Sequence, residues 1–144
     1  MNTISIFIWV ILAFASTSFW EAYIEGKYPW ASRQAGWSRK ISKRVTLTAY
    51  HFWLLITFAF LLTLPLIVTG WNTKLFGIIL SAASIGTIVE DFLWFVVNPY
   101  YSLKKFNSND ARWYPWVNLG AIELPAFYII SLAISFLSWY FLWK

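Results

Sequence analysis

One histidine and six carboxylates are the residues of this chain whose types can do chemistry. They are His51, Glu21, Glu25, Glu90, Asp91, Asp110 and Glu123. A histidine among several carboxylates is the donor set of an oxygen-rich divalent site, suited to Zn, Mn, Fe or Mg. The same groups also move protons or cations across a bilayer. The chain has no Cys, which excludes disulfides, thiolate metal sites and Cys nucleophiles. It has no Gly-x-Ser-x-Gly, no phosphate-binding glycine loop and no dinucleotide fingerprint. His-Glu-x-x-His and Glu-x-x-His are also missing, which argues against the usual di-iron carboxylate arrangement.

The setting of these groups is apolar. Glu90 and Asp91 interrupt a run from Ile85 to Val97. Seven residues at about 1.5 Å each put Glu90 roughly 10 Å from Val97. Adjacent residues on a helix diverge by about 100°, so Glu90 and Asp91 face different ways. Glu90, Trp94 and Asn98 share one face at spacing four, and so do Glu21 and Glu25. His51 lies in Tyr50-His51-Phe52-Trp53. A carboxylate in the bilayer core costs roughly 2.5 kcal/mol or more, so such groups face a bundle interior and find partners.

The elements that position them are membrane spans. The chain is 60% hydrophobic and 12% charged, against about 25% charged in a soluble domain. Four apolar runs stand out, over approximately residues 4–24, 45–69, 75–97 and 120–143, each about long enough to cross a bilayer as a helix. No Lys or Arg precedes the first run, so it reads as a retained helix rather than a signal peptide. Gly70-Trp71-Asn72 is a turn, making spans two and three an antiparallel hairpin, and Asn98-Pro99 stops the third. Pro125 suits the first turn of the fourth, with Glu123 just before its positive end. The runs are continuous rather than alternating, which disfavours a barrel.

Lys27, Arg33, Arg39, Lys40, Lys43 and Arg44 fall in the loop 25–44, and Lys104, Lys105 and Arg112 in the third loop. Only Lys74 and Lys144 fall on the other side. The positive-inside rule makes the first group cytoplasmic. The chain thus reads as an all-α membrane protein, a four-helix transmembrane bundle with N-terminus and C-terminus outside, in one transmembrane domain over residues 1–144. Its membrane is expected to be the plasma (inner) membrane. Trp37 and Ile41, four apart in the basic loop, would share a helix face on anionic lipid, although a plain topology-setting loop explains the charges as well. Nothing resembles a nucleic-acid reading module.

In this topology every span brings an ionisable group to the cytoplasmic leaflet. The expected site has His51, Glu90 and Glu123 as metal ligands, with Asp91 and Glu21 as a catalytic base or support. Trp94, Asn98 and Trp20 are expected at the substrate, with Trp113 and Trp116 as further stacking surfaces. Small residues Gly77, Ser81, Ala82, Ser84 and Gly86 let a neighbouring helix approach span three. The favoured function is divalent-metal binding, in an enzyme acting on a lipid or lipid-linked substrate from the inner leaflet. Two others stay open. One is a proton or cation transporter or channel subunit working as a homo-oligomer, against which stands the lack of acidic residues in the outer half. The other is an assembly protein binding membrane lipid or a partner helix, held by ion pairs of Glu90 and Glu123 with the basic loop.

Overall fold

A computed structural model of the chain describes residues 2–144. Among these residues four helices are long and apolar enough to cross a membrane. They are α1 (Thr3–Glu25), α2 (Ala49–Thr69), α3 (Thr73–Val97) and α4 (Ala126–Ser138), the last continuing as a π turn over Trp139–Trp143. Twenty-three residues at about 1.5 Å give α1 roughly 35 Å, enough for a hydrocarbon core of about 30 Å. The starts of α1, α2 and α3 are capped by side chains. Asn2, Thr48 and Asn72 accept the N–H groups of Ser5, His51 and Leu75 through their side chains. Gly26 and Gly70, at φ 55° and 81°, let the chain leave α1 and α2 sharply.

The loops are more ordered than expected. Two short antiparallel hairpins lie at the same end of the bundle. Strand β1 (Ser38–Lys40) pairs with β2 (Thr46–Thr48), with Arg39 opposite Leu47. Strand β3 (Trp116–Asn118) pairs with β4 (Glu123–Pro125), with Val117 opposite Leu124. The first hairpin replaces the surface helix that Trp37 and Ile41 suggested. Ser42 Oγ accepts from the N–H groups of Arg44 and Val45 at 3.3 and 3.1 Å, which turns the chain back on itself. The second hairpin corrects the start of the fourth span from about 120 to Ala126. Asn118 Oδ1 accepts from Gly120 N at 2.8 Å, and Gly120 adopts φ 90°, so the chain turns there. The second span likewise starts at Ala49 rather than Val45, because Thr46–Thr48 is strand.

Helix α3 is the hub. Its small residues receive neighbours on two sides. Phe14 of α1 covers Gly86 so closely that an added Cβ would lie 2.5 Å from its ring. Leu142 covers Gly77, where an added Cβ would lie 2.6 Å away. Serines clamp α4 to α3: Ser138 Oγ donates to Gly77 O at 2.9 Å and Ser81 Oγ to Ser135 O at 3.0 Å. Trp143 Nε1 donates to Ser81 Oγ at 2.8 Å. Helix α2 is peripheral, with Leu66 its one fully buried residue. It touches the bundle through Phe58, stacked on Phe14 at 4.6 Å, and through Leu62 and Leu66 near Leu75 and Ile79. The bundle is therefore tight at the Gly77–Ser138 end and open at the end that carries the basic loops.

Candidate functional site: an acid-ended cavity between the helices

At the open end, α1 stops with Glu21 and Glu25 buried one turn apart. Glu25 is held by the loop that follows it. Trp30 N and Ala31 N donate to its two oxygens at 3.2 and 2.6 Å. To aim both N–H groups at one carboxylate, Trp30 and Ala31 take φ values of 58° and 46°. Left-handed backbone on non-glycine residues costs on the order of 1–3 kcal/mol each, here offset by two buried hydrogen bonds to one carboxyl. Such strain concentrates at functional sites.

The other end of this arrangement is His51. Thr48 Oγ1 accepts from His51 N at 3.3 Å and lies 2.7 Å from its Nδ1. A hydroxyl that already accepts from His51 N is free to donate to Nδ1, which puts the ring proton on Nε2. That nitrogen lies 3.6 Å from Glu25 Oε1. Trp30 stacks on the imidazole at 4.3 Å, and its Nε1 donates to Thr46 O at 2.5 Å. Among the described residues this His51–Glu25 contact is the one approach of a basic side chain to a carboxyl within 4 Å, and no Lys or Arg reaches a carboxyl.

Asp91 is buried on a different face of α3. Two phenol hydroxyls donate to it: Tyr114 from the loop before β3, and Tyr128 of α4 at 2.7 Å. Tyr114 is itself buried. Burial first, and then the Asp91 charge beside it, hold the Tyr114 phenol well above its usual range, so it stays a donor. Asp91 thus ties the long third loop and α4 to the hub.

Glu21 and Glu90 remain. They lie against each other across the α1–α3 contact, with Tyr50 beside Glu21. Glu21 Oε1 is buried with no hydrogen-bond partner. Both carboxyls line a cavity of about 440 Å³ among the four helices. That volume lies within the roughly 300–1,000 Å³ of small-molecule sites. Beyond its acidic end the wall is apolar, with Phe14, Leu54, Leu55 and Phe58 running toward the bundle middle. Neither Lys nor Arg lines it. A second, more polar space of about 550 Å³ lies outside, between the first hairpin and the loop, and Trp30 and Trp113 wall both.

The structure brings together Glu21, Glu90, Asp91, His51 and Trp94 of the expected set. It leaves out three others. Glu123 lies in β4, where its Oε1 accepts from Ser108 N at 2.7 Å; the strand that replaces the start of the fourth helix carries it away from His51 and Glu90. Trp20 is 49% exposed on the outer face of α1, tilted against Tyr50 at 6.0 Å. Asn98 is buried but structural: its Nδ2 donates to Gly26 O, and its Oδ1 accepts from Tyr100 N and Tyr101 N. Trp116 is likewise occupied, donating to Ala111 O at 2.8 Å.

Among the described residues no three His, Asp or Glu side chains converge as metal ligands. The donors explain this: the loop holds Glu25, the tyrosines hold Asp91, and His51 faces Thr48 and Glu25. The residues that sequence reasoning missed are Trp30, Tyr114, Tyr128 and Thr48. A buried carboxylate demands donors, so Asp91 implied that some hydroxyl would reach it, but eight tyrosines offered no way to choose.

No protein-family model, curated protein or solved structure matches the chain.

Proposed function

We propose that the protein binds a membrane-soluble cationic amphiphile, with its charged head between Glu21 and Glu90 and its chain along Phe14, Leu54 and Phe58. One observation carries this reading: four carboxyls, with Glu21 and Glu90 against each other, gather with His51 at one end of a cavity whose remaining wall is mostly apolar and which no Lys or Arg lines. Adjacent carboxylates buried without a cation repel, and their charge has to be met by a proton, a metal ion or a cationic head. The size and apolar wall of the cavity favour the last. A bare ion would use only its acidic tip.

Entry is from the bilayer. Helix α2 is held at one end by Leu66, in the middle by Phe58 and at the other end by His51 against Trp30, and Leu54 and Leu55 are its contribution to the cavity wall between these contacts. The nine Lys and Arg on the loops at this end put it at the cytoplasmic leaflet by the positive-inside rule, with both termini outside. Such a site serves a carrier, a sensor or an enzyme acting on the bound head.

The test uses purified protein in lipid nanodiscs and two probes of equal chain length, dodecylamine and dodecanol, followed by tryptophan fluorescence. The amine is expected to bind at least tenfold more tightly, and Glu21→Gln/Glu90→Gln is expected to abolish that difference. Equal binding of the two probes refutes the reading. Elemental analysis of the same sample covers the metal-dependent alternative: stoichiometric Zn, Mn or Fe, lost in the double variant, would replace the amphiphile with an ion.

A further inference from the structure

The first hairpin sorts its side chains by face. Successive residues of a strand point to opposite sides, and residues directly opposite across an antiparallel pair point to the same side. Arg39 stands opposite Leu47, and Ile41 N donates to Val45 O at 2.9 Å where the pairing ends. At the base, Ala49 N donates to Trp37 O at 2.8 Å. Trp37, Arg39, Ile41, Val45 and Leu47 therefore share one face, apolar but for Arg39. A spacing of four is even, so Trp37 and Ile41 keep to one side of the strand as they would of a helix. Val45 and Leu47 line the acid-ended cavity. Trp37, tilted against Phe52 of α2 at 5.4 Å, is 46% exposed, and Ile41 is 61% exposed. Ser38, Thr46 and Thr48, on the opposite face, wall the outer polar space, which Trp37 also borders. Arg39, Lys40, Lys43 and Arg44 are all exposed. No acidic residue occurs between Glu25 and Glu90, and among the described residues no Lys or Arg reaches a carboxyl.

We infer that this hairpin rests on the cytoplasmic leaflet and binds anionic lipid, with Trp37 and Ile41 in the head-group boundary and the four cations on lipid phosphates. The surface is separate from the amphiphile cavity and does not depend on that reading. The fold sets its reach. Helix α2 has 21 residues, so at about 1.5 Å each it matches a hydrocarbon core of about 30 Å and Ala49 sits at the edge. Strand β2 runs into α2 without a break, because Thr48 is the helix cap. Four residues at about 3.3 Å put Val45, with Ile41 beside it, within about 13 Å of that edge at any tilt. A head-group layer of roughly 6 Å and a screening length of about 8 Å cover that distance. Cations that only orient the chain ask for no apolar neighbours, whereas exposed Trp and Ile among them match an interfacial segment. Each Lys or Arg near an anionic leaflet favours the seated position about fivefold, so four together favour it by roughly several hundredfold.

The chain has no Cys, so a nitroxide on Ile41→Cys reports the tip alone, and the label keeps the position apolar. The full chain is placed in nanodiscs of phosphatidylcholine, with or without about 30% phosphatidylglycerol to supply negative surface charge. Accessibility of the label to oxygen and to a nickel chelate gives its depth. The label is expected in water in the zwitterionic discs and at the head-group boundary in the anionic ones. Salt at about 1 M, where the screening length falls to about 3 Å, should return it to water. Lys43→Gln/Arg44→Gln should weaken seating roughly twentyfold, read as a rise in the phosphatidylglycerol fraction that seats half the labels. The other cations of this side still orient that variant. Equal depth in both discs, or seating that survives salt and the double substitution, overturns the charge recognition. A label in water in every disc overturns the surface and leaves the cations to topology. Soluble polyphosphate that moves the label in zwitterionic discs as far as phosphatidylglycerol does would put a free anion in place of the lipid.

Discussion

Replacing Tyr114 by Phe removes one hydroxyl and leaves the ring. The Asp91 carboxylate then keeps a single donor, Tyr128, at 2.7 Å. A hydrogen bond to a charged group contributes about 1.5–3 kcal/mol, and this one is fully buried, so a loss near 2 kcal/mol is expected. Tyr128→Phe should cost a similar amount. The two together leave a carboxylate with no partner, and the loss should reach about 3–5 kcal/mol. In that double background, Asp91→Leu should recover most of it, because removing both sides of a buried polar pair is close to neutral. Midpoints of thermal or SDS unfolding in detergent, read by tryptophan fluorescence, measure all four. A loss under about 0.5 kcal/mol for Tyr114→Phe would refute the clamp, as would no recovery with Asp91→Leu. The pH dependence gives a second readout. The folded Tyr114 phenol keeps its proton above the ordinary tyrosine value of about 10. Once pH passes about 10 the unfolded chain binds fewer protons there than the folded one, so stability falls with pH, by up to about 1.36 kcal/mol per unit from this group. Below that pH the contribution is complete and flat. Tyr114→Phe should shallow the alkaline loss.

Other perturbations probe the rest of the bundle. Gly86→Ala puts a Cβ 2.5 Å from the Phe14 ring and forces α1 outward. It should destabilise by about 1–3 kcal/mol for overpacking, reduced by up to about 1 kcal/mol of helix propensity, and Phe14→Leu should relieve it; thermal midpoints decide. Glu25→Gln leaves one acceptor oxygen where Trp30 N and Ala31 N now use two. A loss of about 1–3 kcal/mol is expected, with faster proteolysis of the 26–37 loop as the local measure. Trp30→Ala removes the wall between the two cavities; quenching of the remaining tryptophans by a water-soluble quencher should rise, and an unchanged accessibility would show that Trp30 excludes nothing. Because the chain has no Cys, single cysteines at Ser42 and Asn72 report sidedness directly. An impermeant maleimide is expected to label Asn72→Cys from outside and Ser42→Cys only after lysis.

The spans were legible because lipid imposes one rule on every residue of a helix. Runs such as 75–97 gave α3 to within two residues at its start. What lies beyond the bilayer obeys no such uniform rule. Both hairpins turn on single side chains, Ser42 and Asn118, that bond their own backbone. Eleven tryptophans and eight tyrosines read alike as interfacial anchors, and only the fold shows that Trp30 and Tyr114 point inward to meet Glu25, His51 and Asp91. The expected metal ligands do not converge among the described residues, for the same reason. Glu123 was expected at or just before the start of the fourth helix, on a segment that is strand.

The division of the acidic groups is the part that no pattern could supply. Glu21 and Glu25 share a face of α1, yet the loop satisfies one and leaves an oxygen of the other bare. Glu90 and Asp91 are adjacent, yet two tyrosines satisfy one while the other meets Glu21. In each pair one carboxylate serves the fold and its neighbour is left to the cavity. Nine Lys and Arg stand on loops at this end of the bundle, and none reaches a carboxylate.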